Sequence, residues 1–314
     1  VDPKTGSLLV ACLGIDSVVA YDAHSANPVD AEKRRWRVAA GPSGIAVDPA
    51  TSRAVVWGQF DRTLSVIDLA GEQLETTQDA EQRHVHNIEL SPTKGRQLSV
   101  AAALGRSLFH ATGDARIARD GRSCASCHPD GREDGLVWAT PDGPRRTIML
   151  AGRLEGTAPF SWDGKAKRLR DHLGETFVRL GGVGGLRSVE LRALTAYITS
   201  LPPPPKLGFA ADNKRIARGK SIFDSSKAGC AKCHSGASYS DNRNHDVKSK
   251  TKTDRHATFN TPSLRLISGR APYYHDGRYQ TLDALLDGVD GDMGHTAHLS
   301  EADKTALVAF LETL

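Results

Sequence analysis

Cys124-Ala-Ser-Cys127-His128 and Cys230-Ala-Lys-Cys233-His234 both read Cys-x-x-Cys-His. In that order two thiols can form thioethers to the vinyl groups of a haem while the adjacent imidazole binds its iron, the attachment chemistry of haem c. A redox Cys-x-x-Cys pair or half of a zinc site uses the same two cysteines. Neither explains why a histidine directly follows the second cysteine in both copies, and a four-cysteine zinc site needs both pairs at one metal. The strings therefore predict two covalent haems, anchored by Cys124, Cys127, Cys230 and Cys233, with His128 and His234 as proximal iron ligands. The fifth cysteine, Cys12, falls in a β-rich run and reads as a strand residue.

The residues around the motifs are also duplicated. Gly105-Arg106-Ser107-Leu108-Phe109 precedes the first motif and Gly219-Lys220-Ser221-Ile222-Phe223 the second, each reading as an amphipathic helix end. Further on, Ala158–Gly164 matches Ala271–Gly277, and the copies run without a gap to Leu201 and Leu314 through Leu169/Leu282, Gly181/Gly294 and Leu194/Leu307. Each ends in a predicted helix, Ser188–Ser200 and Ser300–Thr313, and Pro202 to Pro205 between them form a stiff linker.

Where the copies differ, their chemistry should differ. A sixth iron ligand is commonly Met or His and lies well downstream of the attachment site. Met293, one of only two methionines, sits in the loop Gly291-Asp292-Met293-Gly294 and is the first candidate on the second haem; His275, His295 and His298 remain alternatives. The first copy carries Leu180 at the matching place, and leucine cannot ligate iron. An open iron face there calls for an acid–base group, and the segment Arg168–Phe177 offers His172 and Glu175. An ordinary surface helix is the competing reading of that segment, and direct ligation by His172 is a second one. His245–Lys252 reads as a solvated loop or a dock for an acidic redox partner.

At 314 residues the chain has room for two or three domains. A net charge of +4 with 25% charged residues is too mild to argue for nucleic acid. No apolar run is long enough to span a membrane, and no signal-peptide pattern opens the chain. Covalent haem c is attached outside the bacterial cytoplasm, so a periplasmic protein is expected. Its leader is then removed, or the chain is a C-terminal portion of a longer one.

Val1-Asp2-Pro3 recurs as Val47-Asp48-Pro49 and more loosely as Leu90-Ser91-Pro92, a period of 43 to 46 residues, the length of a propeller blade. β-rich runs follow: Ser7–Cys12, Ser17–Tyr21, Arg53–Trp57 and Thr63–Ile67. The expected fold class is mainly α, two tandem c-type cytochrome domains (96–205 and 206–314) preceded by a β-propeller fragment of about two blades (1–95). The remaining blades would be lost or come from another chain; an independent β-sandwich is the alternative.

Cys124–His128, Ala158–Gly164, Cys230–His234, Thr261–Leu264 and Ala271–Arg278 together resemble the di-haem bacterial cytochrome c peroxidase and MauG superfamily, and the repeats its propeller-fused branch. The resemblance implies a peroxide-reactive haem in the first cytochrome domain and an electron-transfer haem in the second, fed by a small redox protein. It places His172 at a distal-pocket position and Trp162, which replaces His275 in the first copy, between the haems. It gives His275 a competing role, a hydrogen bond to a haem propionate. It also implies a calcium ion held partly through Gly269–Pro272, where Arg270 stands in place of a small residue. An oxidase or oxygenase acting on an organic or protein substrate, and a plain electron-transfer cytochrome, need the same attachment motifs and stay open.

Overall fold

The two Val-Asp-Pro strings fold alike in the computed structural model, which describes residues 1–27, 30–70, 84–91, 97–206 and 212–314. Asp2 accepts hydrogen bonds from Lys4 N at 3.1 Å and Thr5 Oγ1 at 2.6 Å. Asp48 does the same with Ala50 N at 3.0 Å and Thr51 Oγ1 at 2.6 Å. Such aspartate turns replace backbone hydrogen bonds and reverse the chain. Pro92 of the loosest copy lies outside the described residues.

The turns feed short strands. β1 (Ser7–Cys12), β2 (Ser17–Asp22) and β3 (Glu32–Arg37) form one antiparallel sheet; β4 (Pro42–Asp48), β5 (Arg53–Gly58), β6 (Thr63–Asp68) and β7 (Val85–Glu89) form a second. Alternate residues face one core: Val18 and Ala20, Trp36 and Val38, Ala54 and Val56, with Ile67. That spacing of two is the strand's own period. Cys12 ends β1, and burial pushes its thiol pKa up. These strands belong to the first of two compact units, Val1–Leu98 with His110–Gly113.

The second unit comprises Ser99–Phe109 and Asp114–Leu314. Its helices come in matching sets: α1 (Val100–His110), α2 (Leu169–Arg179) and α3 (Ser188–Ser200), then α4 (Asn213–Asp224), α5 (Leu282–Gly288) and α6 (Glu301–Leu311). In each set the first helix crosses the last at a glycine. A Cβ on Gly105 would lie 2.0 Å from the Ala193 carbonyl oxygen, and one on Gly219 1.9 Å from that of Ala306. The aromatic pairs beside the crossings match too, Phe109 with Tyr197 and Phe223 with Phe310, both at 5.3 Å between centroids. The helices start on local caps: Thr281 Oγ1 accepts from Ala284 N at 3.0 Å, and Ser300 Oγ from Asp303 N at 3.2 Å. Two hairpin-like pairs complete the unit, β8 (Val137–Thr140) with β9 (Gly143–Arg146) and β10 (Asn244–His245) with β11 (Phe259–Asn260).

The expectation of a mainly α chain led by a β-propeller fragment is corrected by this architecture. Helix makes up 27% and strand 21%, the sheets are small and antiparallel, and no closed propeller exists among the described residues. The physical reason lies in both units. The seven strands of the first unit bury one shared core between two small sheets, and the six helices α1 to α6 run only 7 to 13 residues. Long irregular segments join those helices. Among the described residues no helix is long and apolar enough to cross a membrane.

Candidate functional site

Each Cys-x-x-Cys-His string curls into one turn. His128 N donates to Cys124 O at 2.9 Å and His234 N to Cys230 O at 3.0 Å, which brings the first cysteine and the histidine to one side. Ser123 N donates to Ser126 Oγ at 3.1 Å and caps the first turn. His128 Nδ1 lies 3.2 Å from Arg132 O, and His234 Nδ1 3.1 Å from Tyr239 O. A carbonyl oxygen only accepts, so Nδ1 carries the proton and Nε2 keeps a free lone pair, the arrangement of a metal-binding imidazole. Burial lowers both histidine pKa values and so keeps the rings neutral. It also pushes the Cys124 thiol up to about 12.

A cavity of about 420 Å³ opens beside the second motif, within the range of cofactor pockets. Cys230, Cys233 and His234 line it together with Met293, His275 and Trp162. The loop carrying Met293 is closed on itself, Gly291 N donating to Gly294 O at 2.7 Å, and Met293 N donates to Val289 O at 3.1 Å. His295 and His298 are exposed. Cys233, Asp241 and His245 offer one ligand atom each within 4.8 Å of one another, but the thiol is the one haem attachment needs.

His275 is only 2% exposed, and its Nε2 lies 3.0 Å from Asp254 Oδ2. Its ring stacks on Phe259 at 4.0 Å and meets Trp162 edge-on at 6.3 Å. Burial opposes ionisation of Asp254, but hydrogen bonds from Arg145, Thr251 and His275 outweigh it and hold the carboxyl well below the usual range. Trp162 Nε1 donates to Arg146 O at 2.9 Å. A Trp–His–Asp–Arg chain of contacts thus joins the two halves of the unit.

In the first half, His172 lies on α2 with its Nδ1 buried and unpartnered. Burial first, then Arg179, brings its pKa down to about 4, against an opposing pull from Asp163. Glu175 on the same helix is exposed, whereas His172 is partly buried. Leu180 caps α2, its carbonyl accepting from Arg119 N at 3.1 Å. Sequence reasoning missed Asp254, Arg145, Arg146, Arg153 and Glu133, whose partners lie far away in the chain. The adjacent Arg145-Arg146 pair was the available signal.

Two attachment turns presenting neutral imidazoles, one beside a cavity of cofactor size, define a c-type cytochrome whose cofactor is haem c. No protein-family model matches the chain. Methylamine utilization protein MauG of Methylorubrum extorquens is 31% identical over 278 residues, covering 68% of this chain and 77% of that protein. The chain belongs to the MauG and di-haem cytochrome c peroxidase family. A cytochrome-c peroxidase of Pseudomonas sp. (strain SCT) is 25% identical, covering 82% of this chain and 92% of that protein. A solved structure of Kuenenia stuttgartiensis hydrazine synthase shares the fold with a TM-score of 0.55 at 21% identity, over 78% of this chain and 99% of that one.

Calcium does not fit the segment Gly269–Pro272. The Arg270 carbonyl accepts from the Arg146 guanidinium, while the Arg270 guanidinium pairs with Glu133. Two positive side chains beside the segment oppose a dication there, and they engage the Arg270 carbonyl and one Glu133 oxygen.

Proposed function

We propose that this chain is a periplasmic di-haem cytochrome that reduces hydrogen peroxide to water. Residues 96–205 and 206–314 form its two cytochrome domains, with one haem on Cys124 and Cys127 and one on Cys230 and Cys233. His128 and His234 hold the irons through Nε2, and Met293 completes the second. Haem c, when bound, supplies the iron that takes peroxide in the first domain and the electrons that a small redox protein delivers through the second. The chain's residues handle the protons and the geometry. A His172 imidazole with its pKa down near 4 is neutral at neutral pH and ready to accept a peroxide proton. Trp162 sits against His275 between the halves and holds the ring contact on which an electron path would depend.

The observation that carries this reading is the asymmetry across the duplication. Met293 lines the cavity beside His234, whereas its counterpart Leu180 has no atom that binds iron. An electron paramagnetic resonance spectrum of the oxidised protein tests it: one high-spin iron that changes on adding peroxide is expected. Two low-spin irons inert to peroxide in both oxidised and half-reduced protein would establish the plain electron-transfer reading instead.

A second reading, oxidation of an organic or protein substrate at the same first haem, draws on the 31% identity to a methylamine utilization protein. It predicts peroxide consumption that depends on that substrate rather than on the redox protein.

A further inference from the structure

Three buried guanidinium groups meet at the cavity of the second half. Arg146, Arg153 and Arg270 are 7% to 8% exposed, and all three line it. Among the described residues they share one carboxylate: Glu133 pairs with Arg146 at 3.2 Å and with Arg270. Arg153 pairs with no carboxylate there; its guanidinium donates to the Ser263 carbonyl. Nε of Arg146, Nε of Arg153 and one Nη of Arg270 are buried without a partner. The neighbouring Arg145 is a different case, since Asp254 neutralises it.

Arginine keeps its proton at any physiological pH, and a buried guanidinium without a counter-charge is costly. Three positive charges against one carboxylate leave two uncompensated. Two is also the number of carboxylate side groups on a haem. Arginine donates strong charge-assisted hydrogen bonds to carboxylates, and each of the three has one nitrogen without a partner.

We propose that Arg146 and Arg153 are the counter-charges for the carboxylates of the haem held at Cys230 and Cys233. Both belong to the first half, Arg146 at the end of β9. The haem bonded to one half is therefore neutralised by the other, and the halves are locked by the group they share. This rests on the haem assignment made above.

The test measures haem content by haemochrome analysis and both midpoint potentials, in wild type, Arg153→Met and Arg153→Lys. A positive charge beside the carboxylates favours the reduced iron. Arg153→Met is expected to keep both haems and shift one potential to more negative values. Arg153→Lys keeps the charge, so the potential should stay near wild type while the propionate bending band in the resonance Raman spectrum shifts. A background of Cys230→Ala with Cys233→Ala identifies the haem: there Arg153→Met should leave the remaining potential unmoved. Unchanged potentials in Arg153→Met, or a shift that survives in that background, would overturn the proposal. A wild-type chain without two haems would overturn the haem assignment itself. Should Arg153→Met fail to fold, an unshifted Raman band in Arg153→Lys overturns the proposal, and a shifted one upholds it.

Discussion

His275 Nε2 is committed to Asp254 Oδ2 at 3.0 Å, both side chains being buried. That leaves Met293 better placed than His275 among the sixth-ligand candidates lining the cavity with His234, the third, His295, being exposed. Met293→Ala should lower the potential of one haem by removing a soft thioether while both haems stay attached. Spectroelectrochemical titration checks this; unchanged potentials with an intact ligand set would pass the role to His275.

Asp254 also neutralises Arg145, and both are nearly inaccessible to water. Asp254→Ala strands that guanidinium and frees His275 Nε2 at once. Removing one partner of a buried pair costs about 3–5 kcal/mol. Denaturant unfolding should show that loss, and Arg145→Met with Asp254→Ala should recover part of it.

Gly219 sits where the α4 and α6 backbones nearly touch. With 1.9 Å between an added Cβ and the Ala306 oxygen, the helices must separate. Overpacking of this kind costs about 1–3 kcal/mol or more, so Gly219→Ala should lower the melting temperature. Gly105→Ala, at the matching crossing in the first half, should act similarly. A neutral result in both would remove the crossings as a requirement.

His172 leads to two expectations. His172→Ala should slow the peroxide reaction by about 100-fold if the imidazole moves the proton, the usual size of such contributions. Faster peroxide binding would instead make His172 an iron ligand.

The second expectation concerns pH. Its folded pKa near 4 lies below the ordinary 6.5, so the unfolded chain binds the proton more readily. The stability this gives the fold is fully present above pH 6.5 and is lost as pH falls towards 4. Denaturation of wild type and His172→Asn across that window should show wild type weakening more steeply on acidification.

Much of the site was legible because its signals are local. Cys124 to His128 and Cys230 to His234 each fit within one turn, and the strand alternation of Val18, Ala20, Ala54 and Val56 shows directly in the residue order. Fold class was not legible, because short helices separated by long irregular segments leave little periodicity to weigh against two real sheets. The cross-half pairs were hidden for another reason. Arg145 and Asp254 are 109 positions apart and Glu133 and Arg270 137, so no spacing rule connects them. The exposure of Glu175 was not legible, because its place three residues after His172 says nothing about which face of α2 reaches water.

The paired glycine crossings have a consequence for how such a protein can change over generations. Each half is assembled by the contact of its first helix with its last, and that contact uses none of the residues that distinguish one haem from the other. Residues 180 and 293 follow α2 and α5 in segments outside the crossing, although Met293 also packs against the core of the second half. Divergence between the two sites could therefore proceed while the glycine crossings that assemble each half stay unchanged.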